Sequence, residues 1–543
     1  MLPSAAADSS AILKTLGSVT LKRLLKLSGR QDVTDVQVRD AIAIVAWLES
    51  GGSLLRSRRV LRELFKLLDK DLLQQLAESY SSKAYAKPYD NAILLAKSKE
   101  SNLLQLLPSI LDESILGSLR TLGVDYSTIS AATAYASVCA HSLLPHQDEV
   151  VKKACDAIES GRQFLIQMPT GSGKTTTAIM TLIRSGILSS VFHEHKLAFW
   201  LAPTNELLDQ AQEAFDKLWA RFGDREAYYF NTNMHGAAAP MPYGSLVFTT
   251  YQTAANWDAS GLAAHYGRDT AVVVADEAHR ALAPSFQSAL RALSANSLRF
   301  GLTATPGRSA EQTTENKRLA ELFASRIVKT SESNNEIADL QSEGVLSRLQ
   351  REVVQVAGVI SKQSIPDLKG YPVDTDVMTL KENAATLDQL AADDNRNRLI
   401  LDSVEAATNR GSRVVIFACN VYHSRLLCAA LLLKGIPAAS VDSDTSESSR
   451  RTVVREFRQG NLRALSNFAV FTTGFDAPGT DTVVIARPTT SIVTYSQMIG
   501  RALRGPRMGG SSSSTVVEFS DSVALAQNAT EIYDHFRAYW SAE

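Results

Sequence analysis

The sequence predicts an α/β protein with two parallel-sheet lobes in tandem, preceded by an all-α N-terminal domain. Its 543 residues leave room for about three globular units, because a domain commonly holds roughly 100–200 residues. Residues 1–135 carry apolar side chains at helical spacing, and from about residue 140 short β-rich runs alternate with helical stretches. Strands separated by helices indicate a parallel sheet. We therefore expect a helical accessory domain at 1–135, a first lobe at 136–330 and a second lobe at 331–543.

The composition is that of an ordinary globular protein. Hydrophobic residues make up 45% and charged residues 21% of the chain, which fits neither a disordered nor a fibrous protein. The net charge of −1 does not by itself predict a nucleic-acid partner. Apolar runs are shorter than a bilayer span needs, and the cysteines show no Cys-x-x-Cys spacing. We expect a cytoplasmic, reducing location and no membrane partner.

The N-terminal domain contains a predicted basic amphipathic helix. Its apolar stripe consists of Leu61, Leu64, Phe65 and Leu68, and its opposite face carries Arg59, Arg62, Lys66 and Lys70. Such a face is either solvated or in contact with phosphates, and both interpretations fit the sequence.

A glycine-rich segment follows the first predicted strand of the α/β region. The run Phe164–Gln167 leads into Met168–Thr175 and then into a predicted helix. A strand, a glycine loop and a helix in this order are typical of a P-loop, where backbone N–H groups and the helix N-terminus hold phosphates. Lys174 would reach the β- and γ-phosphates, and Thr175 would coordinate Mg²⁺. The predicted nucleotide-binding residues are Thr170, Gly171, Ser172, Gly173, Lys174 and Thr175.

Two adjacent carboxylates follow the apolar run Ala271–Ala275. We expect this strand to place Asp276 and Glu277 at the edge of the sheet. Asp276 would hold Mg²⁺ through its water shell, and Glu277 would polarise the water that attacks the γ-phosphate. The alternative is a helix N-terminus at which two acidic residues are favoured by the helix dipole.

Arg501 and Arg504 lie three residues apart, which would put both on one face of a helix. Two guanidinium groups that point into a cleft would neutralise charge on the γ-phosphoryl group, as arginine fingers do. An Arg-x-x-Arg pair is commonly only surface charge. Its position after the second set of strands favours the catalytic interpretation.

Together these segments resemble the superfamily 2 helicases. The P-loop, the Asp276–His279 segment and Leu302–Pro306 resemble the first lobe, and Thr472–Pro478 and Gln497–Arg504 resemble motifs V and VI of the second. The resemblance extends over about residues 141–543. It implies two RecA-like lobes of a DEAH-type, nucleic-acid-dependent ATPase that binds ATP and Mg²⁺ between them.

The resemblance also implies roles for individual residues. Gln147 would recognise adenine, and Gly474 and Asp476 of motif V would belong to the nucleotide site. Gln497 would join Arg501 and Arg504 in catalysis. Contacts to the nucleic-acid backbone would come from Thr204, Thr250 and Thr473, and coupling of the cleft to the nucleic acid from His279, Thr303 and Thr305. Thr204 and Thr250 have a second interpretation as plain helix caps or strand residues.

Finer features look most like the restriction-translocase and RadD-like repair branch. They are Asp276–Arg280 with Ala283–Phe286, Phe475–Pro478 and Arg487–Thr489. This favours a DNA helicase or translocase in repair or in restriction and antiviral defence. The alternatives are an RNA-dependent ATPase and the motor subunit of a nuclease-containing complex, with a partner protein docked through residues 1–135. Both strand separation and translocation on intact duplex fit the motifs.

Overall fold

The computed structural model describes residues 19–29, 44–45, 47–48, 143–161, 163–224, 226–232, 241–304, 314–330, 336–356, 387–469, 479–487, 492–519 and 541–542. Most of the predicted all-α domain, including its basic helix, lies outside these residues. Thr305, Thr473, Gly474 and Asp476 also lie outside them, so their roles stay predictions.

The first lobe is an α/β unit with a parallel sheet. Its elements are α1 (Pro145–Glu159), β1 (Phe164–Gln167), α2 (Lys174–Arg184), α3 (Ile187–His193), β2 (Leu197–Ala202), α4 (Asn205–Phe222), β3 (Tyr229–Asn231), β4 (Ser245–Thr250), α5 (Tyr251–Ala259), α6 (Leu262–Tyr266), β5 (Thr270–Ala275), a 3₁₀ helix (Ala278–Leu282), α7 (Pro284–Leu293), β6 (Leu298–Thr303), α8 (Thr314–Leu322) and β7 (Arg326–Lys329).

The second lobe repeats this architecture. Its elements are α9 (Glu336–Ser342), β8 (Arg348–Val354), α10 (Asp394–Asn409), β9 (Val414–Phe417), α11 (Val421–Leu433), β10 (Ala438–Val441), α12 (Glu447–Gln459), β11 (Ala464–Asn467), β12 (Thr482–Ile485), α13 (Ile492–Ile499), a 3₁₀ helix (Pro506–Met508) and β13 (Ser513–Phe519). The two-residue strand β14 (Ser541–Ala542) follows it in the chain.

The two sheets confirm the predicted tandem of parallel sheets. The first has the strand order β14-β7-β1-β6-β5-β2-β4-β3 and the second β10-β11-β9-β12-β13-β8. Every ladder that joins the described strands is parallel. Because β14 pairs with β7, the end of the chain returns to the sheet of the first lobe.

The central strands are buried on both faces. All six residues of β2, Leu197–Ala202, are buried. Trp200 packs in a cluster on one face of the sheet, whereas Phe199 packs in a cluster on the other. Helices on both faces of a parallel sheet explain why its strands are nearly continuous apolar runs. The predicted motifs follow the carboxyl ends of such strands, as Asp276 does after β5.

A short N-terminal helix at residues 19–28 packs on the second lobe. Its Leu24 side chain is buried. Arg23 donates a hydrogen bond from Nε to Oδ1 of Asp394 over 2.9 Å, and its guanidinium lies 6.0 Å from the ring centre of Tyr422. This described part of the predicted accessory domain is therefore attached to the second lobe.

Within the described ranges, no single helix is long and apolar enough to cross a membrane. The helices α2 and α3 meet the criteria of length and composition only as a pair, which is bent by 60°.

Candidate active site

The loop between β1 and α2 has the backbone of a phosphate-binding loop. Gly171 and Gly173 have φ angles of 90° and 92°, in the left-handed region that favours glycine. Ser172 closes the turn by donating hydrogen bonds from its N–H and its hydroxyl to the carbonyl oxygen of Pro169, over 3.2 and 2.8 Å. Lys174 is the first residue of α2, and the N-terminus of this helix provides free N–H groups and a partial positive charge.

Gln147 on α1 lies against this loop, as the resemblance implies for an adenine-recognising residue. Its Nε2 donates to the carbonyl oxygen of Ser172 over 3.3 Å, and its Oε1 accepts from the N–H of Leu144 over 3.0 Å. A Cβ on Gly173 would lie 2.2 Å from Nε2 of Gln147, and the φ of 92° at this position favours glycine. Each end of the amide keeps one further hydrogen-bonding position for a base.

His146 is a site residue that the motifs did not single out. Its Nε2 lies 3.0 Å from the same carbonyl oxygen of Ser172. Burial lowers the pKa of His146, so the neutral ring with a proton on Nε2 fits this contact. The only signal in the sequence is its position next to Gln147 on the helix before the P-loop.

The carboxylate pair lies at the carboxyl end of β5, as predicted. Asp276 is buried, and its Oδ1 accepts the N–H of Glu277 over 2.9 Å. Burial and the charge of Glu277 raise the pKa of Asp276 well above its usual range. Glu277, whose φ is 48°, stands at the N-cap position of the 3₁₀ helix Ala278–Leu282, so the alternative of two acidic residues at a helix N-terminus also fits this geometry.

Lys174 lies among charges from both lobes. Desolvation lowers the pKa of its ammonium group. The carboxylates of Glu277 and Asp276 oppose this shift, and the guanidinium groups of Arg501 and Arg504 reinforce it. A divalent cation near Asp276 and phosphates near Lys174 would each compensate a buried charge. The residues present therefore fit a Mg²⁺-nucleotide.

The residues predicted to couple the cleft to the nucleic acid lie next to this pair. His279 Nδ1 lies 3.5 Å from Oε2 of Glu277 and 3.4 Å from Oγ1 of Thr303 at the end of β6. The carbonyl oxygen of Thr303 accepts the N–H of Met168, over 3.2 Å. The P-loop, the carboxylates and β6 are thus in contact through His279 and Thr303.

Motif VI lies against the P-loop, but the prediction of one helical face for its arginines was wrong. Helix α13 ends at Ile499, and Gly500, Arg501 and Ala502 form a turn. Arg504 lies beyond that turn and forms an isolated bridge with Leu346. Glycine is a poor helix former, which accounts for the early end of the helix.

Packing across the cleft nevertheless brings this turn to the nucleotide loop. A Cβ on Gly171 would lie 3.2 Å from Cγ of Arg504. Gln497 is buried on α13, and its carbonyl oxygen accepts from Nε of Arg501 over 3.2 Å. Residues of the second lobe therefore complete the site that the first lobe begins.

Two of the three threonines predicted to contact nucleic acid, Thr204 and Thr250, are helix caps. The hydroxyl of Thr204 accepts the N–H of Leu207 at the start of α4, over 3.4 Å, and that of Thr250 accepts the N–H of Thr253 at the start of α5, over 3.1 Å. The Thr204 hydroxyl keeps a proton that it can donate to a phosphate, whereas the Thr250 hydroxyl also lies 3.0 Å from that of Thr253, with which it shares a hydrogen bond. The contact to nucleic acid stays a prediction for both.

Two family models match the chain. The model described as type III restriction enzyme, res subunit, matches residues 140–308, and that of the helicase conserved C-terminal domain matches residues 395–506. These ranges contain the P-loop with its carboxylate pair and motif VI, respectively.

Curated relatives match parts of the chain. A 51.5 kDa protein of Lactococcus phage (isolate 7-9) is 24% identical over 340 residues, which are 63% of this chain and 62% of the phage protein. The proposed ATP-dependent helicase IRC3 of Saccharomyces cerevisiae is 26% identical over 235 residues, 43% of this chain and 32% of that protein. The chain thus spans less than two thirds of the length of either relative.

Solved structures with a similar arrangement include two complexes with nucleic acid. The ATP-dependent type ISP restriction-modification enzyme LlaBIII bound to DNA has 16% identity and a TM-score of 0.46, and the match covers 74% of this chain and 29% of that one. Dbp5 of S. cerevisiae, bound to RNA and ADP BeF3, has 16% identity and a TM-score of 0.44, and the match covers 72% of this chain and 91% of Dbp5.

Two tandem parallel-sheet lobes with a P-loop, a carboxylate pair and motif VI in one cleft define a two-lobed P-loop NTPase core. The first lobe matches the restriction-enzyme model and the second the helicase C-terminal model, and these matches support the resemblance of the chain to the superfamily 2 helicases.

Proposed function

We propose that the chain is an ATP-dependent DNA helicase or translocase that couples ATP hydrolysis between its lobes to movement on DNA, in repair or in restriction and antiviral defence. The observation that carries this proposal is the composite site. Charges from both lobes surround Lys174, so chemistry at the P-loop depends on how the lobes are placed. The match to a restriction-enzyme subunit over residues 140–308 supports DNA as the polymer.

The proposed mechanism assigns one task to each part of the site. Lys174 and the glycine loop bind the phosphates, Thr175 and Asp276 would hold Mg²⁺, and Glu277 accepts a proton from the attacking water. Bound Mg²⁺ would neutralise phosphate oxygens. Arg501 and Arg504 stabilise charge on the transferred group only when the lobes are closed.

Movement on the polymer follows from this dependence on closure. Thr204 and Thr250 contact the backbone from the first lobe and Thr473 from the second, so opening and closing shift the two contact sets relative to each other. His279 and Thr303 transmit the state of the Glu277 carboxylate to that surface. We also propose a reducing, intracellular location, which is supported by the reduced state of the described cysteines Cys155, Cys419 and Cys428.

The test is steady-state ATP hydrolysis without polymer and with single-stranded DNA, duplex DNA or single-stranded RNA. Lys174→Ala is the control for contaminating ATPase. We expect strong stimulation by DNA and little by RNA. Selective stimulation by RNA would overturn the choice of polymer. A chain that hydrolyses ATP equally without any polymer would contradict the coupling itself and favour a missing partner protein.

A further inference from the structure

Four charged side chains join the two lobes at a second place. Arg450 and Arg451 on α12 of the second lobe form ion pairs with Glu206 and Asp209 on α4 of the first. The Arg450 guanidinium contacts Oε1 of Glu206, and Nη2 of Arg451 lies 2.7 Å from Oδ2 of Asp209. These pairs connect residues that are more than 200 positions apart in the sequence, at separations of 244 and 242.

This place is distinct from the nucleotide site. The P-loop follows β1 and α4 follows β2, and these strands are three positions apart in the first sheet. In the second sheet α12 follows β10, which is also three positions from β12, the strand before motif VI. At roughly 4.8 Å per strand the two contacts are separated by about 14 Å along each sheet.

The pairs lie beside the predicted nucleic-acid surface. Glu206 is two residues after Thr204, which caps α4, and Arg450 lies in the first turns of α12, which Ser446 caps. Both helices begin where a parallel strand ends, at the edge of the sheet that carries the motifs. A change in these ion pairs would therefore act on the placement of the lobes next to the polymer.

The arginine at the centre of this contact is held by its own lobe. Nη2 of Arg450 lies 3.5 Å from the carbonyl oxygens of Asp442 and Thr445, which fix the direction of the guanidinium towards the first lobe. The side chains of Arg450 and Glu206 are only 20% and 31% exposed. Partial burial reduces the screening that makes fully exposed ion pairs weak.

We propose that Glu206–Arg450 and Asp209–Arg451 form a closure latch, a set of positioning residues that hold the lobes together independently of ATP. The latch rests on the proposed function, because it sets the fraction of molecules in which Arg501 and Arg504 reach the P-loop. Its loss shifts the equilibrium towards open lobes by roughly five- to tenfold, the range for two partly exposed ion pairs. The chemical step in a closed molecule is unchanged.

In the competing interpretation Arg450 and Arg451 bind phosphates of the polymer. Glu206 and Asp209 then only take the place of those phosphates when no polymer is bound. The anchoring of Arg450 by carbonyl oxygens of its own lobe favours the latch. The two interpretations predict opposite effects of removing the carboxylates. The latch requires that Glu206→Gln with Asp209→Asn weakens closure, whereas a phosphate site would bind polymer more tightly without them.

The experiment combines charge reversal with a direct measurement of closure. Glu206→Arg, Arg450→Glu, Asp209→Arg and Arg451→Asp are made singly and as the swapped pairs E206R/R450E and D209R/R451D. Small-angle X-ray scattering without nucleotide or polymer gives the radius of gyration, and steady-state kinetics give the KM for ATP and kcat. The intralobe pair Glu213–Lys217 on the same helix, 2.7 Å apart, is the matched control as E213R/K217E.

We expect each single reversal to increase the radius of gyration and to raise the KM for ATP about fivefold, with kcat at saturating ATP and DNA within about twofold of the wild type. The swap D209R/R451D restores both values, and the control swap changes neither. The latch is overturned if D209R/R451D stays as open as its single variants, or if E206Q/D209N binds DNA more tightly. Should the wild type not hydrolyse ATP with any polymer, the proposed function fails while the scattering still decides the latch.

Discussion

Gly500 of the second lobe lies directly against Thr170 of the P-loop. A Cβ on Gly500 would stand 2.6 Å from both Cβ and Cγ2 of Thr170, closer than real Cβ atoms approach other atoms. Close packing leaves no room for such an atom unless the lobes separate. Because glycine has no side chain, residue 500 allows motif VI to approach the phosphate loop this closely.

Gly500→Ala should impair hydrolysis through this contact. The added methyl group pushes motif VI away from the P-loop, and misplacement of catalytic groups by about 1 Å can cost on the order of 100-fold in rate. We expect kcat to fall at least tenfold while a fluorescent ATP analogue still binds. Gly435→Ala is the control, because a Cβ there meets nothing within 4 Å and only its φ of +82° is strained. An unchanged kcat in Gly500→Ala would show that the lobes do not need this approach.

Glu277→Gln should remove the proton acceptor without changing the shape of the site. The carboxamide has nearly the volume of the carboxylate but cannot take a proton from water. General base catalysis contributes about 100- to 10,000-fold, so kcat should fall by that range. The measurement is single-turnover hydrolysis of labelled ATP, with the exposed Glu321→Gln as control. Hydrolysis at the wild-type rate would mean that another group activates the water.

His279 and Thr303 should act as one unit in the response to polymer. Their side chains are buried and 3.4 Å apart, and His279 also lies 3.5 Å from Glu277. We expect His279→Ala and Thr303→Val each to lower DNA-stimulated hydrolysis severalfold more than the basal rate. In a double-mutant cycle the second substitution should add little to the first. Fully multiplicative losses would instead indicate two independent roles.

The sequence predicts the parts of the site that are local in the chain. The P-loop depends on positive φ angles at Gly171 and Gly173, and the carboxylates of Asp276 and Glu277 on the end of one buried strand. Spacing gave a wrong prediction at motif VI, because the three-residue offset between Arg501 and Arg504 does not register that the helix ends before them, at Ile499. The direction of those side chains is set by packing on the other lobe.

Contacts between distant segments could not be predicted from the sequence either, because they depend on tertiary packing. Ser172 receives hydrogen bonds from both His146 and Gln147, 26 and 25 residues earlier. Only the packing of α1 on the loop makes them neighbours. The Glu206–Arg450 pair depends further on how two separate sheets face each other. The charges on two surface helices do not predict which residues pair, because the pairing depends on the relative position of the lobes.

His423 provides a test of the second lobe that is independent of catalysis. The ring is buried, with Nδ1 accepting the N–H of Cys419 over 3.1 Å and Nε2 donating to Oδ1 of Asn397 over 2.8 Å. Burial, together with the nearby Arg396 and Arg23, lowers the pKa of His423 to about 3. The ring is therefore neutral in the folded protein over the whole range in which the unfolded chain takes up its proton.

This difference makes the stability of the second lobe fall in acid. An unfolded histidine has a pKa of about 6.5, so between that pH and about 3 the unfolded state binds one proton more than the folded state. The free energy of unfolding then decreases by about 1.4 kcal/mol for each pH unit below 6.5. His423→Gln lacks this titration, so the wild type should lose about 2 kcal/mol more than the variant between pH 7 and pH 5. Urea unfolding at both pH values measures it, and the exposed His193→Gln variant should follow the wild type. Equal losses in wild type and His423→Gln would mean that His423 takes up its proton at the same pH in the folded and the unfolded chain.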